Sequence, residues 1–262
     1  VFAGAGVIAK EGLGTLTLNN PTTAFSGTYR SLAGRTNLGF DNLFGNPAVV
    51  GQAVAAVDLQ GTSVLNILGG TDQAFRNLTG SADSTIVFGA GNSVVSLQVD
   101  PAGNYSFLGR FQQAAGVTDG TILKTGAGEV RLTNPGNTAE NYVVQGGKLR
   151  VSDGRANGIG TSITLINAVP NSLTTGIFTA NLAANTTLEI ALGDGTERAL
   201  GSQVTAAAGS SLILANAGTG ATVALTSVPQ LGSIGLQGNV ALWTNGQSEV
   251  VGVEGSAGST LA

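Results

Sequence analysis

Lysine stands two residues before a spaced glycine pair at two places, Lys10-Glu-Gly12-Leu-Gly14 and Lys124-Thr-Gly126-Ala-Gly128. Lysine beside glycines is the material of a phosphate-cradling loop, whose backbone N–H groups open a helix and receive the anion. Here the lysine precedes the glycines, a strand-like segment follows, and no Gly-Lys-Ser/Thr triplet occurs, so that chemistry is excluded. Gly69-Gly-Thr-Asp72 matches one fragment of a calcium-binding nonapeptide. A single copy builds no stacked carboxylate site, and Asp72 reads as a turn aspartate.

Glycoside hydrolysis requires two facing carboxylates. If successive coils stack, Asp100 would lie near Asp119 or Asp83, yet Asp100-Pro101, Asp119-Gly120 and Asp194-Gly195 all read as turns. Arg76, Arg110, Arg131, Arg150, Arg155 and Arg198 would suit a stripe for anionic polymers, but interspersed acids make a solvated face the simpler reading. Asn77-Leu-Thr79, Asn104-Tyr-Ser106 and Asn185-Thr-Thr187 fit the glycosylation tripeptide, as chance matches should in so Asn- and Thr-rich a chain. Trp243, within Val240-Ala-Leu-Trp243, reads as core or cap rather than as a sugar contact.

The residue types missing are as informative. The 262 residues include no His, Cys or Met, which removes imidazole bases, thiolates, disulfides and His or Cys metal ligands. Only 15 carboxylates, 11 Lys and Arg, and neutral hydroxyls and amides remain for chemistry. These absences predict no catalytic residue, no cofactor and no metal, and a chain that is not an enzyme. The basic residues are dispersed at a net charge of −4, so neither a nucleic-acid footprint nor attraction to an anionic membrane surface is expected. No apolar run is long enough for a spanning helix, which predicts no membrane insertion of this segment. Lack of Met predicts a processed product or an excised fragment.

The elements that would position such residues are strands. Glycine numbers 41, only 10% of residues are charged, and 42% are hydrophobic, a composition too apolar for free disorder. Short period-two segments follow Gly, Ser, Thr or Asn, as in Gly14-Thr-Leu-Thr-Leu18, Thr62-Ser-Val-Leu-Asn-Ile67, Ser84-Thr-Ile-Val-Phe88, Gly128-Glu-Val-Arg-Leu132, Gly147-Lys-Leu-Arg-Val151 and Ser211-Leu-Ile-Leu214. Their last apolar residues recur at coil length: Ile67 to Phe88 is 21, Leu132 to Val151 is 19, and Ile190 to Leu214 is 24, while Leu214 to Leu242 is irregular. Hairpins of a sandwich would return sooner. Val130, Leu132, Leu149 and Val151 should point inward and Glu129, Arg131, Lys148 and Arg150 outward. Residues 30–47 lack alternation and read as a loop excursion, and Val49–Leu59 reads as a short helix or a strand. No linker divides the chain, so 1–262 is read as one solenoid domain with a loop or helix excursion at about 30–60.

At an offset of 114, Ile8-Ala-Lys10 to Asn20-Pro21 and Ile122-Leu-Lys124 to Asn134-Pro135 share seven of fourteen residues. Gly12, Gly14, Gly126 and Gly128 precede strands, where a sharp corner requires positive φ or close backbone approach. Asn20 and Asn134, each before Pro, are turn formers that could also stack into amide ladders. The segments Lys10–Leu18 and Lys124–Leu132 resemble the autotransporter-associated β-strand repeat. The second copy continues as that family does, through Asn137, Asn141-Tyr142 and Gly147-Lys-Leu-Arg-Val151. The resemblance implies a right-handed parallel β-helix, here with coils of roughly 20–25 residues, in a secreted or bacterial cell-surface protein.

Together these readings predict an extracellular structural β-solenoid that self-assembles into a filament or rod, the alternative being an adhesin-like fragment that binds a host or glycan surface. Val1–Ile8 and the segment after Glu254 carry no charge. Solenoid ends without a polar cap template further strands, so the expected partner is a second copy, head to tail, with surface glycans or host proteins as other partners.

Overall fold

A computed structural model describes residues 3–20, 24–46, 54–68, 71–89, 91, 93–100, 103–117, 120–132, 134, 136–139, 141–144, 148–152, 179–182, 187–191, 196–200, 204–206, 208–209, 211–225, 232–244, 253–255 and 260–261. All regular structure among them is strand, with no helix. The strands stack in parallel as a β-solenoid of about 6 turns with ~22-residue coils, as the spacing predicts. The chain divides into two compact units, Val1–Ala139 and Glu140–Ala262.

In the first unit the strands are β1 (Ala3–Gly4), β2 (Val7–Lys10), β3 (Thr15–Leu18), β4 (Ala24–Phe25), β5 (Thr28–Ser31), β6 (Arg35–Leu38), β7 (Ala56–Leu59), β8 (Val64–Ile67), β9 (Gln73–Gly80), β10 (Thr85–Phe88), β11 (Val94–Gln98), β12 (Asn104–Phe107), β13 (Arg110–Gln113), β14 (Thr121–Thr125) and β15 (Glu129–Leu132). One ladder runs β2–β5–β7–β9–β12–β15. A second runs β3–β6–β8–β10–β13, and a third joins β9, β11 and β14. The long β9 serves two ladders: Gln73–Arg76 pair with β11, then the chain bends at Asn77 (φ 53°) and Thr79–Gly80 pair with β7.

Parallel in-register stacking puts one coil's inward residue over the next coil's. Leu16, Thr36, Leu65, Ile86 and Phe111 form one interior column of the second ladder, and Leu18, Leu38, Ile67, Phe88 and Gln113 the other. Leu38, Leu65, Ile67, Ile86, Phe88 and Phe111 are fully buried, each contributing about 1.5–3 kcal/mol of transfer free energy. Phe111 stacks with Phe88 at 6.1 Å and meets Phe107 edge-on at 5.3 Å between ring centroids. The expected register holds where side chains are described: Val130, Leu132 and Leu149 are buried, while Glu129 and Arg131 lie partly exposed. The side chains of Lys148, Arg150 and Val151 lie outside the described residues.

The excursion differs from expectation. Arg30-Ser31 and Arg35–Leu38 belong to strands β5 and β6. Their alternation is hidden because two inward positions, Ser31 and Thr36, are polar yet buried, and Thr36 Oγ1 sits 2.6 Å from the buried Tyr29 hydroxyl. The extra length falls after β6. Asp41–Phe44 turns inward, Leu43 and Phe44 are buried, and the Phe44 ring packs 4.9 Å from that of Tyr29. In the window 49–59, Ala56–Leu59 is strand β7, and residues 49–53 lie outside the described residues.

The second unit contains β16 (Asn141–Val144), β17 (Lys148–Ser152), β18 (Thr179–Leu182), β19 (Thr187–Ala191), β20 (Thr196–Leu200), β21 (Val204–Ala206), β22 (Ser211–Leu225), β23 (Ser233–Thr244), β24 (Val253–Gly255) and β25 (Thr260–Leu261). Here β16–β18–β21, β17–β19–β22–β23–β24 and β20–β22–β23–β25 form parallel ladders. Ile190 pairs with Leu214, the expected one-coil step. Leu214 pairs with Leu236 rather than Leu242, because β22 and β23 each bend at a register shift and Leu242 lies beyond it, opposite Val223.

Candidate functional site

Both motif lysines point into the solenoid. The chain enters the corner after β2 with Lys10 at 8% exposure and the corner after β14 with Lys124 at 0%. Strand alternation forces this, since Ile8 and Lys10, like the buried Ile122 and Lys124, share a face. An ammonium so placed needs acceptors, and the bend supplies them. Lys124 Nζ donates to the carbonyls of Thr125 (2.7 Å) and Gly126 (2.8 Å). Lys10 Nζ donates to Gly12 O in its own corner and, at 2.7 Å, to Ala33 O in the next coil. Burial pulls the Lys124 pKa down from 10.5 to about 8.

The glycines complete the bend. Gly12 and Gly126 have φ of 74° and 75°, the left-handed region that turns corner carbonyls back toward the lysine. At Gly128 the reason is space: a Cβ would strike the carbonyls of Asp100 and Gly103 in the preceding coil. The two copies nevertheless occupy different corners. Lys10 pairs with Ser31 in the ladder that ends at β15, whereas Lys124 pairs with Leu97 in the β9–β11–β14 ladder. The motif marks a bend, and its offset of 114 is no whole number of coils.

The other candidates are likewise engaged in joining coils. Asp72 Oδ1 accepts the Val94 N–H at 2.9 Å, while the Asp72 N–H donates to Asp41 Oδ1 at 2.9 Å, so it is a turn aspartate that links three coils. No group of three or more acidic side chains able to hold a metal occurs among the described residues. Asp100 Oδ2 accepts Asn77 Nδ2 at 3.0 Å. Asp100 lies between β11 and β12 and Asp83 between β9 and β10, which are different corners; Asp119 and Asp194 lie outside the described residues. The structure therefore does not bring Asp100 and Asp83 together as a carboxylate pair.

Nor do the arginines form one stripe, since Arg76, Arg110 and Arg131 project from β9, β13 and β15. Arg131 pairs with Glu129, and Arg30 pairs with Asp58 at 2.8 Å. Arg155 and the side chains of Arg150, Arg198 and Trp243 lie outside the described residues. Asn134 is both turn former and coil bridge: its Oδ1 accepts the Gly136 N–H (2.8 Å), and its Nδ2 donates to Leu108 O (2.7 Å) and Ala82 O (3.2 Å) in two earlier corners.

Sequence reasoning misses three further corner groups. Gln73, 1% exposed, donates to Phe40 O at 2.7 Å and accepts the Leu43 N–H at 3.2 Å, pinning the inward turn. Asn137 Oδ1 accepts the Phe111 N–H at 2.9 Å and its Nδ2 donates to Leu132 O at 3.3 Å. Thr138 Oγ1 accepts the Gln113 N–H at 2.9 Å. These side chains supply the bonds of a strand where no strand is present. For Gln73 the available signal is a polar residue at the inward parity of Phe75 in β9; Asn137 and Thr138 lie outside any strand and carry none.

Compared with protein-family models, curated proteins and solved structures, the chain matches none.

Proposed function

We propose that the chain is an extracellular structural protein, a β-solenoid that serves as a self-assembling rod or filament at a bacterial surface. One observation carries this reading: of the side chains that the sequence singles out, Lys10, Asp72, Asn134 and Asn137 bind backbone groups of other coils, and Lys124 binds the carbonyls of its own corner. A catalytic group must face substrate with its donors and acceptors free for it, and these face the protein's own main chain. The resemblance of Lys10–Leu18 and Lys124–Leu132 to a repeat of secreted passengers supports the location. The geometry of stacking supports assembly: each coil is held by the same backbone pairing that joins β2 to β5, and a coil of a second copy would use the same bonds.

Electron microscopy and light scattering of the purified full chain test this. Filaments that lengthen with concentration are expected. Particles of one fixed length that stay monomeric at high concentration would overturn self-assembly, and turnover of a polysaccharide by the purified chain would overturn the structural reading itself.

A further inference from the structure

Of the five arginines of the first unit, Arg76 is half-buried, with Nη2 donating to Ser26 O at 3.4 Å, and the other four fall into two kinds. Arg30 and Arg131 each have a carboxylate partner. Arg35 and Arg110 are exposed and have no ion pair among the described residues, and both project from the ladder β3–β6–β8–β10–β13. That ladder presents ten outward positions, two from each strand, and none of them is acidic. The accessible groups are the two guanidiniums with Thr15, Thr17, Asn37 and Gln112. Arg35 and Arg110 occupy the same column three strands apart, about 14 Å at the usual strand spacing. Arg110 Nε donates to Thr85 Oγ1 at 3.2 Å, which lays its side chain over β10, toward Arg35.

We propose that this face binds an anionic, linear polysaccharide laid along the stack, with Arg35 and Arg110 gripping its carboxylate or sulfate groups. A guanidinium offers such groups two parallel N–H donors in a fixed plane. The hydroxyls and amides between and beside them match the hydroxyls of a sugar chain. The same face suits other anions poorly. Its ten outward residues include no aromatic side chain on which a nucleic-acid base could stack. Val64 and Val87, half-buried, are its only apolar outward residues, too little for the anchored core of a protein interface. The inference does not depend on filament formation, because the face belongs to a single copy.

The test measures retardation of the full chain in gels containing polygalacturonate, heparin or neutral dextran, with polyglutamate and single-stranded DNA as competitors. Retardation by polygalacturonate, heparin or both, weakened by salt and absent with dextran, is expected. R35Q/R110Q should weaken it about tenfold, the scale of losing charge-assisted bonds, with an unchanged urea-unfolding midpoint, whereas R30Q should leave it intact. If the double variant does not fold, R35Q alone, at an exposed side chain without an ion pair, must still weaken binding. No retardation by either polyanion, equal weakening by R30Q, or competition by polyglutamate or DNA as effective as by the glycans would overturn the proposal.

Discussion

Replacing Lys124 by Met separates the two things that its ammonium does. The group donates to two part-buried carbonyls, and losing a hydrogen bond from a charged donor costs about 1.5–3 kcal/mol where the acceptor is left unpaired and less where water replaces it. Against this stands desolvation, which lowers its pKa from 10.5 to about 8. Between those values the unfolded chain holds a proton that the folded chain has released, so stability rises with pH across the window. At pH 7 protonation of the buried amine offsets roughly 3 kcal/mol of folding free energy, and by pH 9.5 roughly 1. The native chain should therefore gain about 2 kcal/mol of unfolding free energy between pH 7 and 9.5 from this group. Lys124→Met should lack that gain, so its stability relative to the native chain should be highest at pH 7 and fall by about 2 kcal/mol by pH 9.5. Above pH 10 Tyr29 acts the other way, since burial raises its pKa, and its ionisation in the unfolded chain draws stability down. Urea unfolding of both proteins at half-unit pH steps checks this. If native and Lys124→Met stabilities run parallel from pH 7 to 9.5, the ammonium does not carry the desolvation assigned to it.

Three other substitutions probe the corners and the core. Gly126→Ala meets both a φ of 75° and the Val99 carbonyl, while Gly12→Ala meets only its φ. The second should cost about 1–2 kcal/mol and the first clearly more, measured by denaturant midpoints; equal costs would refute the close approach. Leu132→Asp puts a carboxylate at a position with no exposure and should destabilise by several kcal/mol, on the order of 3 or more, read by thermal unfolding. Asn137→Ala removes the partners of Phe111 N–H and Leu132 C=O, at about 1–3 kcal/mol for each group left unpaired, and amide exchange at Phe111 should accelerate selectively.

Strand parity was legible wherever both inward residues are apolar. Leu16 and Leu18, Leu65 and Ile67, or Ile86 and Phe88 announce themselves, and the 21-residue step from Ile67 to Phe88 is the register pair observed. It was illegible at β5 and β6 because Ser31 and Thr36 occupy inward positions. A one-dimensional pattern cannot distinguish a hydroxyl facing water from one facing the buried Tyr29. The glycine corners were legible from spacing, but the orientation of Lys10 and Lys124 was not: charge suggests an outward residue, while parity with Ile8 and Ile122 sets each inward. Parity prevails because the corner carbonyls turn inward with it and give the ammonium its acceptors. Asn134, Asn137 and Gln73 were illegible as coil bridges, since their partners come from other coils and a sequence rich in amides does not mark which ones reach across.

The placement of the two K-x-G-x-G segments at different corners bears on how a solenoid tolerates irregular coils. Successive partners in the second ladder, Thr15, Arg35, Val64, Thr85 and Arg110, are separated by unequal lengths of chain, the longest step containing the inward turn at Asp41–Phe44. A code that specified a face would fail whenever a coil gained residues. One that specifies a bend, by an inward lysine and a left-handed glycine two residues later, works at whichever corner the chain has reached. At the Lys10 corner the neighbouring coil offers small residues and a carbonyl: Gly34, where a Cβ would strike Lys10 Nζ, follows the Ala33 carbonyl that Lys10 binds. Coil length is thereby released from the local sequence, and register is held instead by the interior columns and by the polar side chains that reach from corner to corner.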